Sequence, residues 1–284
     1  EAVDADVRAR GFGLSGDAHA RLRPFAVQPL SALRLALDEF DPRRLHAAAP
    51  SGRWRIEADL HVSDADALTL VGPVHAENGA PGRIDQDRVP VLVLTAQLEA
   101  SLGQVDLRDL RVRPAGGGEV RGEAGWRASG DLPVRAALQL RDVDAAALHG
   151  RGVPTKLGGR IDIRASGERQ QFELALNDSG PSHIALDARG AVAQRLLTLE
   201  RARIAARGAE ATLAGSLKLD DTLEFKTDGA LQKFDPSAFA RVPAASLSAT
   251  FAASGRIGPQ PDVRAAVDFG PSTLMGERLS GVLK

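Results

Sequence analysis

Apolar and polar residues alternate along this chain almost from end to end. Leu33, Leu35 and Leu37 interleave with Arg34 and Ala36, and Trp54, Ile56, Ala58, Leu60 and Val62 interleave with Arg55, Glu57, Asp59 and His61. The same period of two returns at Ile161 and Ile163, at Phe172, Leu174 and Leu176, at Ile184, Leu186 and Ala188, and at Leu213, Gly215 and Leu217. Successive side chains of a strand point to opposite faces, so each run reads as a strand with one apolar and one wet face. Turn signals separate the runs: Gly116-Gly117-Gly118, Asn177-Asp178-Ser179-Gly180 and Ser254-Gly255. No apolar pattern at helical spacing lasts three turns. The pattern predicts an all-β chain.

A longer period overlies the alternation. Residues 105–148 and 197–239 each hold a strand, a Gly turn, a second strand through a Gly (Gly122 or Gly125; Gly215), a third strand, and then a hydrophobic–Asp motif. The motif reads "LRDVDAAAL" at 140–148 and "LQKFDPSAF" at 231–239, with a third copy, "LDEFDPRRL", at 37–45. Its aspartates, Asp41, Asp144 and Asp235, lie 103 and 91 residues apart. Each Asp is read as the N-cap of a short helix, accepting from first-turn N–H groups. Pro42 and Pro236 suit the first helical position. Phe40 with Leu45, Val143 with Leu148, and Phe234 with Phe239 have the spacing of a hydrophobic staple. The expected organisation is one continuous repetitive β domain over 1–284, with blocks of about 1–50, 51–155, 156–245 and an incomplete 246–284. The chain starts inside a running alternation, which suggests a piece of something longer.

The candidate chemistry is thin. "GFGLSG" at 11–16 fits GxGxxG, but a dinucleotide site needs a helix next, and "DAHARLRP" alternates like a strand. The glycines are therefore read as lying in or between strands. His19, His46, His61, His75, His149 and His183 are scattered, without metal-ligand spacing. Asp64 and Asp66 form a DxD that lacks the rest of a calcium loop. There is no cysteine, and 36 Lys+Arg balance 37 Asp+Glu, so overall charge gives nucleic-acid binding no support. No catalytic residue, cofactor or metal is expected. The longest apolar run, near 89–96, is far shorter than the ~20 residues that span a bilayer.

That leaves the apolar face as the informative feature. It must be covered: by closing into a sandwich or barrel, by winding into a solenoid, or by curling around an apolar ligand. Acyl chains would suit, at roughly 0.8 kcal/mol per buried CH₂. The segment "NGAPGRIDQDRVPVLVLTAQL" (78–98) and the ordered run "FDPSAF…SLSATFAASGRIGPQPDVRAAVDFGPSTLMGERLSGVLK" (234–284) resemble the AsmA-like/TamB family. The family's Gly is missing near "LSATF", and Val143-Asp144 lacks the Pro. The resemblance implies an elongated, curled antiparallel sheet, a β-taco with an apolar groove, of which this chain is a mid-region piece with ~90–100-residue repeats and short helical turns. It further implies a periplasmic location in a Gram-negative bacterium and a full-length protein anchored in the inner membrane. The implied partners are phospholipid or a hydrophobic polypeptide strand in the groove, and, through the full-length protein, a TamA-type Omp85 outer-membrane barrel. The implied role is phospholipid transport between membranes, outer-membrane protein assembly, or both. Leu138, Leu140, Leu174, Leu186, Leu213, Leu217 and Phe225 are the expected groove lining. The alternative is a structural or adhesive β-solenoid segment of a cell-surface protein. An enzyme on a β-scaffold would need carboxylates clustered in a cleft, whereas the acids here are spread along the outward face.

Overall fold

The structure, a computed structural model, describes residues 2–11, 14–26, 28–44, 49–64, 68–128, 134–150, 152, 154–166, 168–180, 183–206, 208–220, 223–235, 237, 245–257 and 262–283. The chain is all-β, and it divides into two compact units, Glu1–Lys156 and Leu157–Lys284. Unit 1 holds β1 (Val3–Gly11), β2 (Leu14–Leu22), β3 (Leu30–Phe40), β4 (Trp54–Asp64), β5 (Thr69–Asn78), β6 (Val91–Ser101), β7 (Gln104–Pro114), β8 (Glu119–Arg127) and β9 (Val134–Val143). A one-turn helix α1 (Ala145–Leu148) and 3-10 turns at Pro42–Arg44 and Ile84–Gln86 complete it. Unit 2 holds β10 (Leu157–Ser166), β11 (Arg169–Asp178), β12 (Ile184–Ala193), β13 (Leu196–Ala206), β14 (Ala209–Lys218), β15 (Glu224–Phe234), β16 (Ala245–Arg256), β17 (Asp262–Leu274) and β18 (Glu277–Leu283).

Within each unit every strand pairs antiparallel with the next in sequence, from β1–β2 to β8–β9 and from β10–β11 to β17–β18. Among the described residues the first and last strands of a unit do not pair with each other, so each sheet is open.

Tight hairpins make this order the cheap one, since joining neighbours along the chain costs little loop entropy. Met275 and Gly276 join β17 to β18 with φ of 53° and 88°, the left-handed pair whose twist matches the strands. Gln194 and Arg195 join β12 to β13 in the same way, at 49° and 61°, although neither residue favours that region. Replacing Gln194-Arg195 by Asn-Gly is therefore expected to stabilise unit 2 by about 1 kcal/mol. A chemical melt that moves to lower denaturant would refute it.

Ser254-Gly255 is not a turn. Both residues lie inside β16, where Gly255 pairs with Val263. A Cβ on Gly255 would sit 2.1 Å from the Asp262 carbonyl oxygen. The glycine marks close backbone approach within the sheet, the other meaning of an isolated Gly in a strand pattern.

The described residues include no helix long enough to cover either sheet, and none long and apolar enough to cross a membrane. Large apolar side chains are mostly half-buried. In unit 2 the buried apolar residues are alanines, such as Ala165, Ala202, Ala211 and Ala249.

Candidate functional site

Register fixes which side chains share a face, because residues directly opposite in an antiparallel pair point the same way. In unit 2 one such row runs Ile161–Leu174–Ala188–Ala202–Leu213–Gly229–Phe251–Val267–Leu283 across all nine strands. A second runs Ile163–Phe172–Gly190–Leu199–Gly215–Thr227–Ala253–Ala265. The Thr227 hydroxyl donates to the Ala214 carbonyl oxygen at 2.9 Å and is thus satisfied. Between the strand ends no charged side chain points to this face.

Unit 1 repeats the arrangement. Val7, Ala18, Leu35, Ala58, Val74 and Ala96 form one row across β1 to β6. Leu94, Val112, Val120 and Leu140 continue the same face across β6 to β9. Single-residue register shifts, such as the one between Leu107 and Leu110, skip a residue without turning the rows over.

The expected lining residues fall on these faces. Leu138 and Leu140 lie in β9 of unit 1, with Leu138 opposite Gly122. Leu174, Leu186, Leu213, Leu217 and Phe225 share the apolar face of unit 2. There Leu186 opposes Leu176, and Leu217 opposes Phe225. All seven are half-buried. The unit 1 rows of β3 to β6, outside the expected lining, alternate as regularly. Two phenylalanines lie over glycines: a Cβ on Gly190 would meet the Phe172 ring at 2.8 Å, and one on Gly229 the Phe251 ring at 2.7 Å. Large against small across the strands levels the surface of the face.

The opposite faces are charged and largely self-neutralised. Arg8 pairs with Asp17, Arg34 with Asp59, and Arg55 with Asp38 in unit 1, at 3.3, 3.1 and 2.8 Å. Arg189 pairs with Glu200 and Arg203 with Glu210 in unit 2, at 3.2 and 2.8 Å. Two depressions lie on this side. A trough of about 960 Å³ in unit 1 runs between Asp6, His19, Arg34 and Asp59 on one wall and Asp17, Glu57 and His75 on the other. A second trough, of about 520 Å³, lies among Lys218, Glu224, Lys226 and Arg264 of unit 2. Phe225 borders that trough, and the other six expected lining residues border neither.

One carboxylate on the charged side is buried. Asp106 is 3% exposed and accepts from Gln104 and from Arg135 Nη2, the latter at 3.0 Å. The pair spans β8 because Gly125 stands between them; a Cβ there would come within 2.4 Å of Asp106 Oδ1. Burial pushes the Asp106 carboxyl up, but the hydrogen bonds from Gln104 and Arg135 and the Arg135 charge outweigh it, so the group titrates below the usual carboxylate range. A depressed folded value gives stability that is present above the unfolded value, near 3.9, and lost as pH falls through the folded one. Asp106→Asn is expected to cost about 1–3 kcal/mol at neutral pH and to flatten the loss of stability in acid. Urea melts at pH 7 and pH 3 that shift the variant and the parent equally would contradict this.

The three motif aspartates do more than cap. Asp144 Oδ1 accepts from Ala146 N at 3.1 Å, within the first turn of α1, and from Thr155 N at 3.0 Å, just before β10. Thr155 Oγ1 in turn accepts from Ala145 N at 2.8 Å. Asp41 Oδ1 accepts from Arg43 N at 3.1 Å and Gly52 N at 3.2 Å. Asp235 Oδ1 accepts from Ser237 N at 3.0 Å and Ala245 N at 3.2 Å. One oxygen thus closes the turn and straps it to the chain ten or eleven residues on. In every copy the residue two before the Asp is left-handed: Glu39, Asp142 and Lys233, at φ 58°, 53° and 48°. Between that residue and the Asp stand Phe40, Val143 and Phe234, and Val143 is 2% exposed. Leu45, Pro236 and Phe239 of the expected caps and staples lie outside the described residues.

The remaining candidates assemble nothing catalytic among the described residues. Gly11 ends β1 and Gly16 lies within β2, so a strand, not a helix, follows the glycines; residues 12–13 lie outside the described set. His19 bonds Asp6 at 2.8 Å, and His75 bonds Glu77 at 3.1 Å, both on the surface. His61, His149 and His183 are exposed, and His46 and Asp66 lie outside the described residues. No group of three His, Asp or Glu among the described residues is placed to hold a metal. Comparison with protein-family models, with curated proteins and with solved structures gives no match.

Proposed function

We propose that this chain is a non-catalytic scaffold whose apolar face shelters hydrocarbon, with phospholipid acyl chains as the occupant. In the AsmA-like/TamB setting that its sequence elements suggest, it would be a periplasmic segment of a conduit between the two membranes, serving phospholipid transport or outer-membrane protein assembly. The observation that carries the reading is the face of unit 2, nine strands wide with no charged side chain between the strand ends. Nine strands about 4.8 Å apart and some ten residues long make a face of roughly 1,400 Å². The largest apolar patch on an ordinary monomer is about 300–600 Å². A face of that size needs a cover, and the flat, unselective relief made by pairing Phe and Leu with Gly suits flexible chains better than a shaped ligand.

The test is mass spectrometry of phospholipid co-purifying with the chain, alongside loading with a fluorescent phospholipid after delipidation. Phe225→Arg and Leu217→Asp put a charge on the face and are expected to reduce loading about tenfold or more, by the transfer cost of one lost apolar contact and one buried charge. A folded parent that neither carries nor takes up lipid would end this reading.

A further inference from the structure

The charged face of unit 1 is not neutral everywhere. Over β7 to β9, between the bulge at Asp109 and the turn at 114–118, four arginines stand around one carboxylate. Arg111 on β7 is directly opposite Arg121 on β8, and like charges so placed destabilise a sheet. Arg113 lies two residues further along β7. Glu119 on β8 is opposite Arg141 on β9 and accepts from Arg121 Nε at 2.8 Å. That pair occupies one guanidinium; Arg111, Arg113 and Arg141 form no ion pair among the described residues. The hydrogen bond from Arg121 and the charges of Arg121, Arg111 and Arg141 hold the Glu119 carboxyl below its ordinary range, against the upward push of partial burial. One carboxylate thus serves several cations at once.

The surroundings leave this excess in place. The turn at 114–118 carries no charged side chain. Asp109, Glu123 and Asp142, the nearest other acids along these strands, form no ion pair with the four arginines among the described residues. Glu77, beyond β6, is taken by His75 at 3.1 Å. The neutral neighbours are hydrogen-bond donors: Thr95 is opposite Arg111, and Gln139 is opposite Arg121. All four arginines are exposed, and the unit 1 trough reaches them at Thr95 and Arg111. Strands about 4.8 Å apart, with same-face residues about 7 Å apart along each, bring the four side chains within reach of one ligand roughly 10 Å long. A guanidinium fork grips phosphate oxygens in pairs. No aromatic side chain stands in these rows to stack a base, so a compact oligophosphate fits better than nucleic acid.

We infer that the β7–β9 corner of the charged face binds a multivalent phosphate anion, held by Arg111, Arg113, Arg121 and Arg141 with Thr95 and Gln139 as neutral donors. The site lies on the face opposite the apolar rows and does not depend on their holding lipid. The experiment is calorimetric titration of the whole chain with tripolyphosphate at low and high salt, alongside thermal melts. The parent binds saturably, more weakly in high salt, and tripolyphosphate raises its melt. Arg111→Gln with Arg141→Gln weakens binding about tenfold or more, while the melt without anion is not lowered, since both side chains are exposed and one cross-strand repulsion is relieved. Glu119→Gln tightens binding, because the competing carboxylate charge is gone. Arg8→Gln with Arg34→Gln, on the same face but ion-paired at 3.3 and 3.1 Å, leaves binding unchanged. Absence of saturable binding by the parent overturns the inference, as does an equal loss in the two double variants, which would mean diffuse charge. So does tighter binding of a short oligothymidylate than of tripolyphosphate, which would make the surface one for nucleic acid.

Discussion

Replacing Asp144 by alanine is expected to destabilise unit 1 by about 2–3 kcal/mol, among the largest effects available to a residue outside the buried rows. Loss of an N-cap alone costs about 1 kcal/mol. Asp144 also holds Thr155 N at 3.0 Å, and leaving that second donor unmet in a half-buried turn adds about 1 kcal/mol or more. Asp144→Asn keeps an acceptor oxygen in the same place and should recover most of the loss. Thr155→Val separates the two roles: it removes the hydroxyl that accepts from Ala145 N but keeps the backbone N–H that Asp144 binds, so its cost should be smaller. Denaturant melts of the three variants decide this. Equal melts for Asp144→Ala and Asp144→Asn would mean that the carboxylate charge matters rather than the strap.

The strap shows where sequence reading stopped. Asp41, Asp144 and Asp235 were visible because a short polar residue between an apolar one and a run of Pro, Ala or Arg has few other uses. Their second partners, Gly52, Thr155 and Ala245, were not, because a backbone N–H carries no side-chain signature and the pairing depends on where the chain returns. The left-handed residues before each Asp were hidden for a related reason: Glu39 and Lys233 are not residues that the φ preference would select. Strands were legible because a period of two is imposed by the backbone itself. The shared face of Leu174, Leu186, Leu213 and Leu217 then followed from register, and register followed from short hairpins. Ser254-Gly255 was misread because glycine signals both a turn and a close approach, and only the neighbouring Asp262 carbonyl tells them apart. Phe25 and Leu102 carry no signal of their own in the sequence, because a lone apolar residue in a turn looks like the edge of the next strand.

The same ambiguity of glycine gives the sharpest contrast in stability. Gly122 lies in the middle of β8, opposite Leu110 and Leu138, and a Cβ there would stand 1.9 Å from the Ala137 carbonyl oxygen. Nothing flexible can yield, because the obstacle is the backbone of β9. Gly122→Ala is therefore expected to cost about 3 kcal/mol or more, by breaking the β8–β9 pairing or forcing the strands apart, in the range of overpacking and backbone strain combined. Gly103, in the turn after Leu102, provides the control: its Cβ would meet only the Ala128 Cβ, at an ordinary 3.8 Å. Gly103→Ala should be neutral or stabilise by up to about 1 kcal/mol, through the reduced freedom of the unfolded chain. If the two variants melt together, glycine at 122 is not holding the strands at their close approach. If Gly122→Ala melts early and also loses phospholipid loading while Gly103→Ala keeps both, the geometry that lets β8 and β9 approach is the geometry that presents Leu138 and Leu140 on the apolar face.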